Sequence, residues 1–324
     1  MGADIFAASA AARNVFETVD DAFGFSLSEL CFQGPEDILR STINAQPAIM
    51  TVSLAYLAAF QEALSPLHSS WSSPLAPAYT AGHSVGECTA LVASGILDLK
   101  AAALLIRERS RLMHEEETLC PSGMAAVIGM DAQPLQEVCQ EATQQTLASL
   151  PAPTHPGQGR VVIANYNAPG QIVISGEQHA LEAASALAKA RGAKRVIPLS
   201  VSGAFHSPVM EPAAQGMARF LQSVDLHDAA IPIISNITAT PLTEKQALRE
   251  ELAQQVATSV QWIRSIEYLI SAGITTFFEI GPGQALAGMI KRIAKNVTII
   301  NIGSVTEVEK AAALAREKNL LSNV

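Results

Sequence analysis

The sequence predicts an α/β chain: a larger body of alternating strands and helices, interrupted by a small α+β unit. Three observations lead there. The 324 residues exceed the usual size of one domain, and 49% hydrophobic against 16% charged residues describe a chain with a substantial core. Strand-like and helix-like stretches alternate on both sides of residues 123–201, whereas that segment runs strand, helix, strand, strand, helix, strand. Finally, "TAGHSVGE" (80–87) places a G-x-S-x-G pattern between an apolar strand and a helix, the setting of a nucleophile elbow.

The elements run in order along the chain. The first 60 residues read as helical: "AAARNVFETVDDAF" is amphipathic, and "STINAQPAIMTVSLAYLAAFQEAL" carries a long apolar stripe after a polar start. Residues 65–77 form a Ser/Pro-rich connector. "AYTAG" is a short strand entering the elbow, and "VGECTALVAS" is the helix leaving it, stopped by Gly95. Asp98 is an N-cap for the next helix, "LKAAALLIRERSRLMHEEE". "PSG" (121–123) ends that region. "MAAVIGM", "PLQEVCQEATQQ", "RVVIANYNAPGQIVISG", "HALEAASALAKARG" and "AKRVIPLSV" then give the order of a ferredoxin-like split unit, with a turn at Ala168-Pro169-Gly170. After it come a helix from about 207, a strand "IPIISN", a helix "QWIRSIEYLISAG", a strand "TTFFEI" and a last helix "QALAGMIKRIAK".

A net charge of −9 argues against a nucleic-acid surface. Cys31, Cys88, Cys120 and Cys139 are scattered, with no metal-ligand spacing, so they read as reduced thiols and no metal is expected. No apolar run is expected to span a membrane, and "MGADIFAASAAARNVF" has no secretory or myristoylation pattern, since Phe6 stands where the latter wants Ser or Thr. A cytoplasmic protein without a membrane role is the expectation.

A serine hydroxyl becomes a useful nucleophile only when a base takes its proton, so Ser84 needs a partner. The helix after it offers free N–H groups, beginning with Val85, to hold an oxyanion. His83 adjoins Ser84 but should point away from it. His206, in "SGAFHSPVM", lies in a Gly/Pro-bounded loop where the small unit returns to the body; it is either the base or a turn histidine. Arg109 is the most informative residue. At 100° per residue it falls on the apolar face with Ala102, Leu105, Leu112 and Met113, opposite Arg107 and Arg111. An inward guanidinium requires an anion, either an internal Asp or Glu or the carboxylate of a substrate. Gly281-Pro282-Gly283 lacks the G-K-[ST] ending of a phosphate loop and reads as a strand-to-helix turn. Lys189, Arg191, Lys194 and Arg195 form either a solvated surface or a docking patch for something acidic.

Taken together, "NAQPAI", "GHSVGE", "RERSRLM", "NYNAPGQIVISG", "GAFHSPVM", "SVQW" and "FFEIGPG", in this order, resemble the malonyl-CoA:acyl carrier protein transacylases over nearly the whole chain. The resemblance implies an α/β-hydrolase-like large subdomain (1–122 and 202–324) and an inserted ferredoxin-like small subdomain (123–201). It implies Ser84 as the acylated nucleophile, His206 as its base, Arg109 as the grip on the malonyl carboxylate and Gln46 in the same pocket. By the same resemblance, the backbone carbonyl of Gln255 orients the histidine, and His83, Asn167 and Gln171 stand near the site. The implied partners are a coenzyme A thioester and acyl carrier protein, with no cofactor and a monomeric enzyme serving fatty-acid or polyketide synthesis. An acyl hydrolase using the same serine and histidine is the alternative, disfavoured by Arg109. Two departures stand out. Family members open with a strand and a "GQGSQ"-like segment supplying a second oxyanion donor. "MGADIF" resembles the stretch just after that segment, so the donor is expected to be missing and an inactive form is a further alternative. Cys88 stands where an aromatic residue is common, one helical turn beyond Ser84.

Overall fold

A computed structural model describes residues 1–64, 77–201 and 203–318. Five helices open the chain: α1 (Ala3–Ala8), α2 (Ala10–Phe23), α3 (Leu27–Gln33), α4 (Glu36–Arg40) and α5 (Thr42–Leu64). Most of the Ser/Pro-rich connector, 65–76, lies outside the described residues. The chain continues through β1 (Thr80–Ala81), α6 (Val85–Ala93) and α7 (Leu99–Leu119). Helix α6 ends before Gly95, whose φ of 72° suits glycine, and α7 starts where the Asp98 carboxylate accepts the Ala101 N–H at 2.7 Å.

The small unit is β2 (Ser122–Ile128), α8 (Ala132–Ser149), β3 (Val161–Ala168), β4 (Gln171–Glu177), α9 (Gln178–Ala190) and β5 (Arg195–Pro198). Its four strands form one antiparallel sheet in the order β3-β4-β2-β5. The turn between β3 and β4 falls at Pro169-Gly170, with Gly170 at φ 67°. Leu135, Val138 and Ala142 of α8 and Ala180 and Ala184 of α9 bury one sheet face together with Val127, Ile163, Ile172 and Ile174. Position 202, the expected boundary, is outside the described residues.

The body resumes with a short 3₁₀ turn (Pro208–Met210), α10 (Glu211–Leu221), β6 (Ile233–Ile234), β7 (Pro241–Leu242), α11 (Lys245–Gln254), α12 (Trp262–Ser271), β8 (Thr276–Ile280), α13 (Ala285–Ile293), β9 (Thr298–Ile302) and α14 (Val305–Glu317). The sequence reading ended at α13; the structure corrects this, since β9 comes next and pairs parallel with β8, and α14 packs on α5. Strand β1 pairs parallel with β6, which pairs antiparallel with β7. The small sheet is tied to the body by β-bridge bonds between β3 and Val260: Val260 N–H donates to Ala164 and Tyr166 N–H to Val260.

The core of the body surrounds α5, with α2, α7 and α14 packed against it. A second correction concerns this helix. Its 23 residues are long and apolar enough, by length and composition, to cross a membrane, contrary to the sequence reading. Its apolar character is accounted for by burial: Met50, Val52, Leu54, Ala55, Ala59 and Phe60 are enclosed within the body, and a helix apolar on nearly all sides is what a central position requires.

Candidate active site

The G-x-S-x-G turn joins β1 to α6, and sterics dictate its first glycine. A Cβ on Gly82 would lie 1.9 Å from the carbonyl carbon of Gly86, a position no side chain can occupy. Ser84 adopts φ 53°, ψ −108°, in the left-handed half of backbone space that non-glycine residues rarely enter. This geometry lifts its hydroxyl away from the turn. The Val85 N–H, first of α6, has no acceptor among the described residues and is free for an oxyanion.

His206 is the partner that Ser84 needs. Its Nε2 lies 2.8 Å from Ser84 Oγ, while its Nδ1 is 2.8 Å from the Gln255 carbonyl and 3.1 Å from that of Thr258. Two carbonyls can only accept, so Nδ1 carries the proton and Nε2 presents its lone pair to the serine hydroxyl. His206 also has positive φ, 57°, and is 3% exposed. Burial first, and then the cation of Arg109, push its pKa down to about 3.

Arg109 is 2% exposed, on the face of α7 that the helical spacing predicts. Its Nη2 donates to Ser84 Oγ at 3.0 Å and to Gln255 Oε1 at 2.8 Å, and its Nη1 donates to Gln46 Oε1. The question of an internal acidic partner is thereby answered: among the described residues no ion pair includes Arg109. Neutral amide oxygens hold the fork, and its Nε is buried with no partner among the described residues. Arg107 and Arg111 point outward, Arg107 over the rings of Phe23 and Phe25 and Arg111 onto Glu108 and Glu115.

The other expected residues divide. His83 turns away from Ser84, as expected: its Nε2 donates to Asn167 Oδ1 at 2.8 Å, its ring packs edge-on against Trp262, and burial lowers its pKa. Gln171, at the start of β4, accepts from exposed Arg292 at 2.8 Å and makes no hydrogen bond to Ser84, His206 or Arg109. Cys88 is buried near Arg109, its thiol pushed up to about 11 by burial. All four cysteines are free and buried. Gly281 and Gly283 form the strand-to-helix turn, at φ 137° and 88°. Lys189, Arg191, Lys194 and Arg195 are exposed, with Arg191 paired to Glu141.

Two residues of the cluster escape the sequence reading. Asn236, just after β6, accepts the Ser84 N–H at 2.7 Å. Glu87, the last residue of the quoted elbow, is 1% exposed; burial pushes its carboxyl well above the ordinary range, and the nearby Glu251 carboxyl adds to this. The only available signals were an asparagine ending the strand "IPIISN" and a carboxylate one helical turn from the nucleophile.

The family described as the acyl transferase domain matches residues 1–319. The malonyl CoA-acyl carrier protein transacylase of Bacillus subtilis (strain 168) is 40% identical over 320 residues, covering 98% of this chain and 94% of that protein. The structure of acyl-carrier-protein-S-malonyltransferase from Bartonella henselae superposes with a TM-score of 0.87 at 37% identity, over 97% of this chain and 94% of that one. A malonyl-transacylase in complex with its type II PKS acyl-carrier protein gives 0.87 at 32% identity, with the same coverage. A serine on a strand-to-helix turn, a histidine on its hydroxyl and a family match spanning nearly the whole sequence together place the chain in the acyl transferase domain family.

Proposed function

We propose that the chain transfers a malonyl group from malonyl-CoA to the phosphopantetheine thiol of acyl carrier protein, through a malonyl ester on Ser84, for fatty-acid or polyketide synthesis. The observation carrying this reading is Arg109: a buried guanidinium that forms no ion pair among the described residues, in contact with the nucleophile's own hydroxyl at 3.0 Å. An acyl group that brings its own carboxylate supplies the missing anion, and the planar fork can take it bidentately.

The geometry supports the following steps. As Ser84 Oγ bonds to the thioester carbonyl carbon, His206 Nε2 takes the hydroxyl proton. The Val85 N–H donates to the oxygen that gains charge. Collapse breaks the carbon–sulfur bond, and His206 returns the proton to the departing coenzyme A sulfur. The pantetheine thiol then gives its proton to His206 and attacks the malonyl-serine ester; collapse restores the serine hydroxyl with that proton. A histidine anchored by neutral carbonyls, next to a cation, stays neutral and ready to accept a proton. Arg109, Gln46 and Gln255 orient the malonyl carboxylate, and His83 and Asn167 shape the surroundings of the turn. Gln171 has a peripheral supporting role. No cofactor or metal enters these steps.

In this reading residues 1–122 and 202–324 form an α/β-hydrolase-like large subdomain and 123–201 a ferredoxin-like small one. The parallel β1–β6 pair leading into the elbow and the β3-β4-β2-β5 order support that division. The protein acts as a cytoplasmic monomer, and the exposed Lys189, Lys194 and Arg195 offer charge to an acidic carrier. Intact-mass measurement on the purified protein mixed with malonyl-CoA and pantetheinylated carrier tests the proposal. A malonylated carrier, lost in Ser84→Ala, upholds it; free malonate without a loaded carrier identifies a hydrolase instead.

A further inference from the structure

The turn that carries Ser84 is held by two side-chain amides, and one of them, Asn236, takes no part in the transfer steps. A non-glycine residue in the left-handed region persists only where its surroundings impose that conformation. Here both backbone polar groups of Ser84 are gripped by side-chain amides from distant parts of the chain. Its N–H donates to Asn236 Oδ1 at 2.7 Å, and its carbonyl accepts from Gln255 Nε2 at 3.0 Å. Asn236 closes a loop across the turn, because its Nδ2 also donates to the Gly82 carbonyl at 2.6 Å.

Asn236 is itself fixed. It lies two residues after Ile234 of β6, which pairs with Ala81 just before the turn, and it is 1% exposed. Its own N–H donates to Glu87 Oε1 at 3.0 Å, and its carbonyl accepts the Gln261 N–H at 2.8 Å. Glu87 Oε2 meanwhile accepts from Gln255 Nε2 at 2.5 Å. One carboxyl, a turn beyond the nucleophile on α6, therefore holds both residues that grip the nucleophile's backbone.

We propose that Asn236 is a positioning residue for the acyl transfer: its carboxamide, on a backbone anchored by Glu87, locks the Gly82–Ser84 turn so that Ser84 Oγ meets His206 and the Val85 N–H faces the same carbonyl. The proposal rests on Ser84 being the residue acylated. It assigns Asn236 no contact with substrate, so its loss slows every reaction of Ser84 alike and leaves the choice between acyl groups unchanged. Misplacing a reacting atom by about 1 Å costs on the order of 10²-fold in rate.

The test compares the wild-type chain with Asn236→Ala and Asn236→Asp. Single-turnover acylation by malonyl-CoA and by acetyl-CoA is measured beside the labelling of Ser84 by a small fluorophosphonate, which needs no carboxylate. For Asn236→Ala, all three rates are expected to fall by about 10²-fold, with the malonyl-to-acetyl ratio unchanged. Asn236→Asp keeps an acceptor for the Ser84 N–H and loses the donor to Gly82; about a tenfold loss is expected, and this variant carries the test if the alanine variant does not fold. Wild-type rates in a folded variant, or malonylation slowed with labelling unchanged, would overturn the proposal. If the wild-type chain is labelled at Ser84 but loads no malonyl group, the malonyl reading fails. Labelling then decides the clamp alone: slower in the variants upholds it, unchanged overturns it.

Discussion

Arg109 and Ser84 are hydrogen-bonded to each other: the guanidinium Nη2 lies 3.0 Å from the serine Oγ, which is also 2.8 Å from His206 Nε2. A buried cation and a histidine base thus meet on one serine hydroxyl. The same guanidinium also reaches Gln46 and Gln255, so one fork of hydrogen bonds links the hydroxyl to both amides.

The state of His206 sets the pH behaviour. Its pKa in the fold is held at about 3 by burial and by Arg109, against roughly 6.5 for an unfolded histidine. A neutral base is therefore present throughout the mildly acidic range. We expect kcat/KM for acylation to stay level from pH 8 to about pH 5 rather than halve near 6.5. A stopped-flow pH profile checks this, and a midpoint near 6.5 would show a solvent-like histidine.

The same shift has a stability consequence of definite sign. Between the two pKa values the unfolded chain binds more protons than the folded one. His206 therefore costs stability progressively as pH falls from about 6.5 toward 3. Urea midpoints are expected to decline over this window, and less steeply in His206→Asn.

The two glycines of the elbow should respond in opposite ways. A Cβ on Gly82 would meet the Gly86 carbonyl carbon at 1.9 Å, backbone against backbone. Gly82→Ala is expected to destabilise the fold by more than the ~1–3 kcal/mol of ordinary overpacking. Gly86, in the first turn of α6, has nothing within 4 Å of its would-be Cβ. Gly86→Ala should keep the fold and, in urea titration, stabilise it by up to about 1 kcal/mol.

Gln46 separates holding the substrate from activating the serine. Its Oε1 accepts from Arg109 Nη1 and its Nε2 donates to Met113 Sδ at 3.4 Å, without touching Ser84 or His206. Gln46→Ala is expected to raise the malonyl-CoA KM by roughly tenfold, about the worth of one hydrogen bond to a charged group, with kcat nearly unchanged. Steady-state kinetics with saturating carrier protein distinguishes the two parameters.

Part of the site, Ser84 with the Val85 N–H and the inward Arg109, can be read from short-range patterns. The elbow glycines announce the turn around Ser84, and three- and four-residue spacing alone turns Arg109 inward. The carbonyl holding His206 was reachable only through resemblance, because a backbone oxygen leaves no mark in side-chain spacing. Asn236 offers only its place at the end of "IPIISN": it lies 152 positions from Ser84, and the β1–β6 pairing brings the two together. Strand β9 and helix α14 were passed over because the sequence reading stopped at the helix after the Gly-Pro-Gly turn. The stripe of α5 signals a helix, but not that α2, α7 and α14 pack around it, which depends on contacts distant in sequence.

In the proposed function Arg109 selects the acyl group delivered to Ser84. The most direct measurement offers the wild-type chain and Arg109→Ala an equal mixture of malonyl-CoA and acetyl-CoA, and reads the acyl mass on the enzyme before turnover completes. The account expects the wild-type chain to carry malonyl in excess of acetyl by about 10²-fold or more, and the variant to lose that preference while still acylating Ser84. An Arg109→Ala variant that still prefers malonyl, or a wild-type chain that takes both groups equally, would contradict it.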